Sequence, residues 1–156
     1  MDANSTKIEW REVTMHIFLS DISSPDVLHL FSKHDDFIVD FWGKDSIYYT
    51  RYSEKEKIDK VWVAYHNDVP VGCVVYRVKS QGVGEVKRMF ISSEYRGNGL
   101  SKSFLSVVEE HAKQCGNHTL HLDTRVTLEP AVTIYRKFGF TTTLSNGLYI
   151  EMEKKL

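Results

Sequence analysis

The chain has 156 residues, enough for one domain with a single core and too few to expect two. Apolar residues make up 42% of it, charged residues 26%, and the formal net charge is -1. That balance gives no global attraction to nucleic acid or anionic lipid, so nucleic-acid and membrane partners are not expected and any partner must be argued locally.

The N-terminus, MDANSTKIEW, is polar and lacks the apolar core of a signal peptide, and no run approaches the roughly 18 apolar residues of a membrane span. Cys73 and Cys115 have no CxxC or metal-like Cys/His spacing, which points to a reducing, cytoplasmic setting and to no metal site. Without repeats or Pro/Ser-rich linkers, one domain over residues 1–156 is expected.

Ser24-Pro25-Asp26 supplies a capping residue and an early-helix proline before VLHLFSKH, where Val27, Leu28, Leu30 and Phe31 provide an apolar face. A second helix is expected through the charged SEKEKI run. VWVAY and VPVGCVVYRV then read as strands joined at His66-Asn67-Asp68, a hairpin, and EVKRMFI reads as a third strand after SQGVG.

Next comes RGNGLSKS. Leu100, Phe104, Val107, Val108 and Ala112 recur at near-helical spacing, so the glycines sit at a strand-to-helix joint, and Gly116 ends that helix. TLHLDT alternates as a strand. LEPAVTIYRKFGF reads as a helix with Pro130 in its first turn, basic residues in its last and Gly139 beyond it, and FTTTL and LYIEMEKKL close the chain as strands. The order ααβββαβαββ implies a mixed α/β sheet.

The two glycines beside Arg96 require an explanation, because glycine costs backbone entropy. A dinucleotide fingerprint would need glycine at Lys102, and a P-loop would need it at Arg96 and Ser101. Both fail. What is left is a helix N-terminus with unpaired N–H groups and partial positive charge, next to an arginine fork suited to phosphate. The alternative is a tight turn with solvated charge.

Two blocks carry a resemblance. R-x-x-G-x-S at Arg96, Gly99 and Ser101 resembles the R/Q-x-x-G-x-G/A acetyl-CoA motif of the GNAT N-acetyltransferase superfamily, and AVTIYRKFGF, Ala131 to Phe140, resembles its A-x-x-x-Y-x-K-x-G-F segment. Their order and separation also match, and the likeness extends from about Val61 onward. Ser101 departs from the usual glycine or alanine, and Leu128 stands where many members have asparagine near the pantetheine arm.

The resemblance implies a single-domain, mostly antiparallel sheet flanked by helices, with a splayed strand pair at the acetyl-CoA site. It implies that Met89, Phe90 and Ile91 offer backbone groups to the pantetheine, and that Arg96, Gly97, Asn98, Gly99, Leu100 and Ser101 hold the diphosphate. It also implies an acetyl-CoA-dependent N-acetyltransferase acting on a small amine, with a homodimer as a possible assembly. A protein N-terminal or lysine acetyltransferase and a non-catalytic acyl-CoA-binding module are the alternatives.

Cys73 lies inside an apolar strand and no serine has a G-x-S-x-G setting, so direct attack by the amine is favoured over an acyl-enzyme. An amine of reference pKa roughly 10.4 must first lose a proton. By resemblance Glu85 falls at the base position, but a carboxyl of about 4.3 serves only if burial raises it, and Glu85 also reads as a solvated strand residue. Tyr135 matches the family's general acid and cofactor contact: a phenol of about 10 can donate to a thiolate of about 8.5. It also reads as a core aromatic. His118 and His121, three apart in a strand, face opposite ways and do not suggest a shared metal.

Overall fold

Alternation builds the first structural element that the sequence reading did not include. In a computed structural model, which describes residues 5–10, 13–43 and 57–156, the chain opens with an antiparallel hairpin, β1 (Ser5–Trp10) and β2 (Val13–Ser20). Met15 and Ile17 on β2 are buried while Thr14 is exposed and His16 and Phe18 are half-buried, the period-2 pattern of a strand with one face on a core.

The first helix, α1 (Pro25–Trp42), starts as expected, with the Ser24 Oγ accepting from the Val27 N–H at 3.2 Å. It runs 18 residues because Val27, Leu30, His34, Ile38 and Trp42 keep a buried stripe at helical spacing, and Gly43 ends it. The helix expected through SEKEKI lies outside the described residues except for Lys57 and Ile58, which are not helical.

The remaining elements follow the predicted order: β3 (Lys60–His66), β4 (Val69–Ser80), β5 (Val83–Ile91), a 3-10 turn (Ser93–Tyr95), α2 (Leu100–Gln114), β6 (Thr119–Arg125), α3 (Glu129–Phe138), β7 (Thr141–Ser145) and β8 (Tyr149–Lys155). The strands form one eight-stranded sheet in the order β1-β2-β3-β4-β5-β6-β8-β7. Neighbours are antiparallel except β5 and β6, which are parallel and connected through α2.

Two cores lie on opposite faces of this sheet. Val74 and Tyr76 of β4 join Leu100, Phe104, Leu105 and Val108 of α2 and Val132 of α3 on one face. Cys73 and Val75, the alternate residues, join Val27 and Leu30 of α1 on the other. Among the described residues no helix is long and apolar enough to cross a membrane.

Candidate active site

The parallel pairing of β5 and β6 is short. Val83, Gly84 and Glu85 pair with Thr119, Leu120 and His121, and there the register ends. Beyond it β5 continues to Ile91 paired with β4, while β6 continues to Arg125 paired with β8. The two strands therefore part like a wedge, and residues 86–91 present a strand edge towards β6 that carries no ladder among the described residues. Met89, Phe90 and Ile91, the expected pantetheine contacts, lie on that edge.

A bulge bends the strand inside the wedge. Between the pairs Val75↔Lys87 and Cys73↔Phe90, β5 carries one residue more than β4, and Arg88 takes a left-handed φ of 46°. The strain is held in place: Arg88 pairs with Asp35 at 3.1 Å, and its guanidinium lies 4.6 Å from the centre of the Phe31 ring. Both partners come from α1. The helix thus braces the bulge in the β4–β5 pairing.

At the open end of the wedge the chain turns into α2. Gly97 and Gly99 have φ of 77° and 80°, where L side chains are strained, and a Cβ on either would meet nothing within 4 Å. Gly99 caps α2 without a side-chain hydrogen bond, and no acidic residue occupies the first turn. Leu100, 1% exposed, anchors the turn in the core, so the N–H groups at the helix start are set rigidly beside open space. A diphosphate fits this cradle. Asn98 lies half-buried between the glycines, and Ser101 is half-buried one turn residue further on.

Arg96 departs from the simple expectation of a guanidinium devoted to phosphate. Its Nε donates to the Ile91 carbonyl at 2.8 Å, and its guanidinium lies 5.2 Å from the centre of the Phe37 ring. It therefore ties the loop to the end of β5 and takes up the Ile91 carbonyl, leaving its terminal amino groups for an anion.

Glu85 and His121 occupy the closed end of the wedge. Both are 3% exposed, and His121 Nδ1 lies 2.7 Å from Glu85 Oε2. Lys79 Nζ, Arg77 Nε and Lys87 Nζ stand 3.3, 3.6 and 3.7 Å from the same carboxylate. Burial alone would raise the Glu85 pKa, but the hydrogen bond with His121 and the charges of Lys87 and Lys79 outweigh it and lower it to about 2. The sequence reading required burial to raise this carboxyl towards neutrality; cross-strand partners absent from that reading reverse the direction.

Tyr135 lies on the inner face of α3, 9% exposed, with its ring edge-on to Phe140 at 6.0 Å between centroids. Cys73 is fully buried, and burial pushes its thiol up to about 12. Leu128 stands at the N-cap of α3 and supplies no side-chain hydrogen bond. Among the described residues no group of three or more His, Cys, Asp or Glu side chains could hold a metal ion.

Sequence reasoning missed His121 as a site residue. The period-2 argument gave its face but not the neighbour across the sheet, which lies 36 residues away in β5. It also missed Arg125, at the end of β6, whose guanidinium lies 4.6 Å from the Trp42 ring centre and 5.5 Å from that of Tyr149. That stack brings the end of α1 against the β6 side of the wedge.

The sequence profile of the acetyltransferase (GNAT) family matches residues 24–140. The chain belongs to this family. The IAA acetyltransferase of Azospirillum brasilense is 30% identical over 125 residues, which cover 79% of this GNAT chain and 82% of that protein. An uncharacterized N-acetyltransferase of Schizosaccharomyces pombe is 33% identical over 91 residues, covering 53% and 56% of the two chains. The chain thus spans most of the first relative and about half of the second.

Solved structures agree on the fold. A Klebsiella pneumoniae protein assigned as an acyl-CoA N-acyltransferase superposes with a TM-score of 0.71 at 22% identity, over 90% of this chain and 96% of that one. A GNAT family acetyltransferase of Elizabethkingia anophelis, with acetyl-CoA bound, gives 0.70 at 19% identity over 91% and 98%. The protein is an acetyltransferase with the mixed, mostly antiparallel sheet of its family.

Proposed function

We propose that this GNAT enzyme transfers the acetyl group of acetyl-CoA directly to a primary amine of a small molecule, an amino acid or amine metabolite. The observation that carries the reading is the wedge: β5 leaves β6 after Glu85 and runs, with an edge unpaired among the described residues, to a helix start with free N–H groups. An extended pantetheine arm can take up that edge as an added strand, with its diphosphate on the N–H groups from Gly97 to Ser101 and on Arg96.

Among the described residues neither cysteine is an accessible nucleophile in the wedge, which favours direct transfer. Cys73 is buried with its thiol held protonated. Cys115 is exposed but follows the last residue of α2, a helix of 15 residues and so about 22 Å long, away from the N-terminal cradle. Tyr135 is assigned the proton that the departing coenzyme A thiolate takes up.

For the acceptor, the sheet face around Glu85 supports a small polar amine, because Arg77, Lys87, Asp123 and Glu151 bring both signs of charge to it. Measuring coenzyme A release with phenethylamine, spermidine, lysine and short peptides tests the reading. Turnover with free amines above peptides is expected. Turnover confined to peptides would overturn the small-molecule assignment, and binding of acetyl-CoA without any turnover would overturn the enzymatic one for this acceptor class.

A further inference from the structure

Glu85 and His121 form a buried pair whose direction is fixed by its surroundings. An ionised carboxylate only accepts hydrogen bonds, so at 2.7 Å Nδ1 of His121 carries the hydrogen and donates it to Glu85 Oε2. In the neutral ring this leaves the lone pair on Nε2. That nitrogen faces away from Glu85 towards Glu151, whose Oε2 is 3.9 Å distant and whose side chain is 43% exposed.

The charges are divided in the same sense. Arg77 and Lys79 from β4 and Lys87 from β5 gather on the Glu85 carboxylate. Asp123 of β6 draws Lys87 further along the wedge at 3.0 Å, Glu151 of β8 stands by Nε2, and Glu153 of β8 is the cross-strand neighbour of His121. A proton arriving at Nε2 is thus stabilised by carboxylates on both sides of the ring. A buried, ionised carboxylate at the last residue pair before the wedge opens requires a reason, since a charge at such a position costs desolvation that an apolar residue would not.

We propose that His121 accepts the proton of the acceptor amine through Nε2, with Glu85 as the residue that positions the ring and supports its charged form. This rests on the acetyl-transfer reading of the wedge. Histidine side chains as a class exchange protons near neutrality, whereas the carboxyl of Glu85 is held too acidic to accept one from an ammonium group.

The step balances. The ammonium group gives one proton to Nε2, freeing the nitrogen lone pair to attack the thioester carbonyl carbon. The C–N bond forms and the C–S bond breaks, with the bonding pair leaving on sulfur. The nitrogen gives up a second proton as the amide forms, matched by the one the thiolate takes up. The first proton passes from Nε2 by way of Glu151 to solvent, and the ring returns to its starting tautomer.

The test uses the full chain with acetyl-CoA and the fastest amine among phenethylamine, spermidine and lysine. His121→Gln can still donate to Glu85 but has no basic nitrogen. Its kcat is expected to fall roughly 10²-fold with acetyl-CoA affinity kept, and the acid limb of the wild-type kcat profile should vanish. Glu85→Gln should instead keep an acid limb and move it to lower pH, because the imidazolium loses its anionic partner. Parental kcat in His121→Gln, or an unmoved limb in Glu85→Gln, overturns the proposal.

A second measurement does not depend on the acceptor. In the acetyl-CoA complex, nitrogen-15 NMR should find the His121 ring protonated on Nδ1 and accessible to protonation on Nε2. The opposite tautomer rules the role out whether or not an amine turns over. Failure of the wild type to bind acetyl-CoA would instead strike at the wedge reading itself, which calorimetry on the unmutated chain decides separately.

Discussion

One hydroxyl separates the two descriptions of Tyr135. Its ring belongs to the core between α3 and the sheet, against Phe140. Tyr135→Phe keeps the ring and removes the proton donor. Folding and acetyl-CoA affinity should change little, while kcat falls roughly 10²-fold, provided chemistry limits turnover. An acyl donor with a more acidic thiol needs less protonation, so the variant should regain activity with it. Equal kcat in variant and parent with acetyl-CoA would make Tyr135 a core aromatic only. Glu85 allows a second test at this scale, in stability. Its folded pKa, about 2, lies below the ordinary carboxyl range, so the folded state gains from its ionisation above that range and loses the gain as pH falls towards 2. The stability difference between wild type and Glu85→Gln should therefore narrow as pH falls from about 5 to 2 in urea titrations; a constant difference would mean that the carboxylate is not held by its neighbours. These residues also differ in how they can be read. Gly97 and Gly99 were legible in the sequence because a left-handed turn is a local demand on the backbone. His121 was not, because what makes it chemical is a partner on another strand.

At the scale of elements, the start of α2 must do two things that a single substitution can separate. It must begin a helix, and it must leave its N–H groups to a ligand. Ser101 is in the first turn, where no acidic residue stands. Ser101→Glu adds a negative charge where the helix dipole favours one, by about 0.3–1 kcal/mol. The melting temperature should hold or rise slightly, while acetyl-CoA binding weakens by at least tenfold because the new carboxylate competes for the cradle and repels the diphosphate. Calorimetry and thermal melts on the same sample read both effects; unchanged affinity would show that the diphosphate does not use this helix start. Elsewhere in the chain, local signals sufficed wherever an element was defined by its own residues. Ser24-Pro25 announced α1, and Gly116 and Gly139 marked the ends of α2 and α3 with left-handed φ of 77° and 112°. The β1-β2 hairpin was missed although Met15 and Ile17 alternate, because polar flanks shorten the pattern. The left-handed Arg88 of β5 was hidden for a different reason: the partners that hold it at the bulge, Asp35 and Phe31, come from α1, and nothing in EVKRMFI demands it.

For the whole molecule, the wedge divides one sheet into a five-stranded part, β1 to β5, and a three-stranded part, β6, β8 and β7, whose only backbone ladder to each other among the described residues is the three-residue parallel pairing. The fold class was readable from the alternation of strands and helices together with the two family blocks. The division was implied by resemblance alone, since a place where hydrogen bonds are withheld leaves no periodicity behind. Gly84 lies at the middle of the joint, paired with Leu120. A Cβ there would run into the Tyr76 ring and come within 2.6 Å of Asn117 Oδ1, the group to which the Tyr76 hydroxyl donates at 2.5 Å. Gly84→Ala should therefore cost about 1–3 kcal/mol, typical of overpacking in a dense core. The loss should be concentrated where the two parts meet: amide exchange in β6 should quicken more than in β3, which is paired on both sides within the larger part. Acetyl-CoA opposes this. A ligand spanning the wedge binds the folded state alone and at 100 times its dissociation constant stabilises by about 2.7 kcal/mol. In the variant it should slow exchange of residues 86–91 and of β6 together, because filling the wedge joins the strands that the substitution loosens. Protection confined to the α2 start, with β6 still exchanging quickly, would mean that the cofactor rests on the helix without entering the sheet.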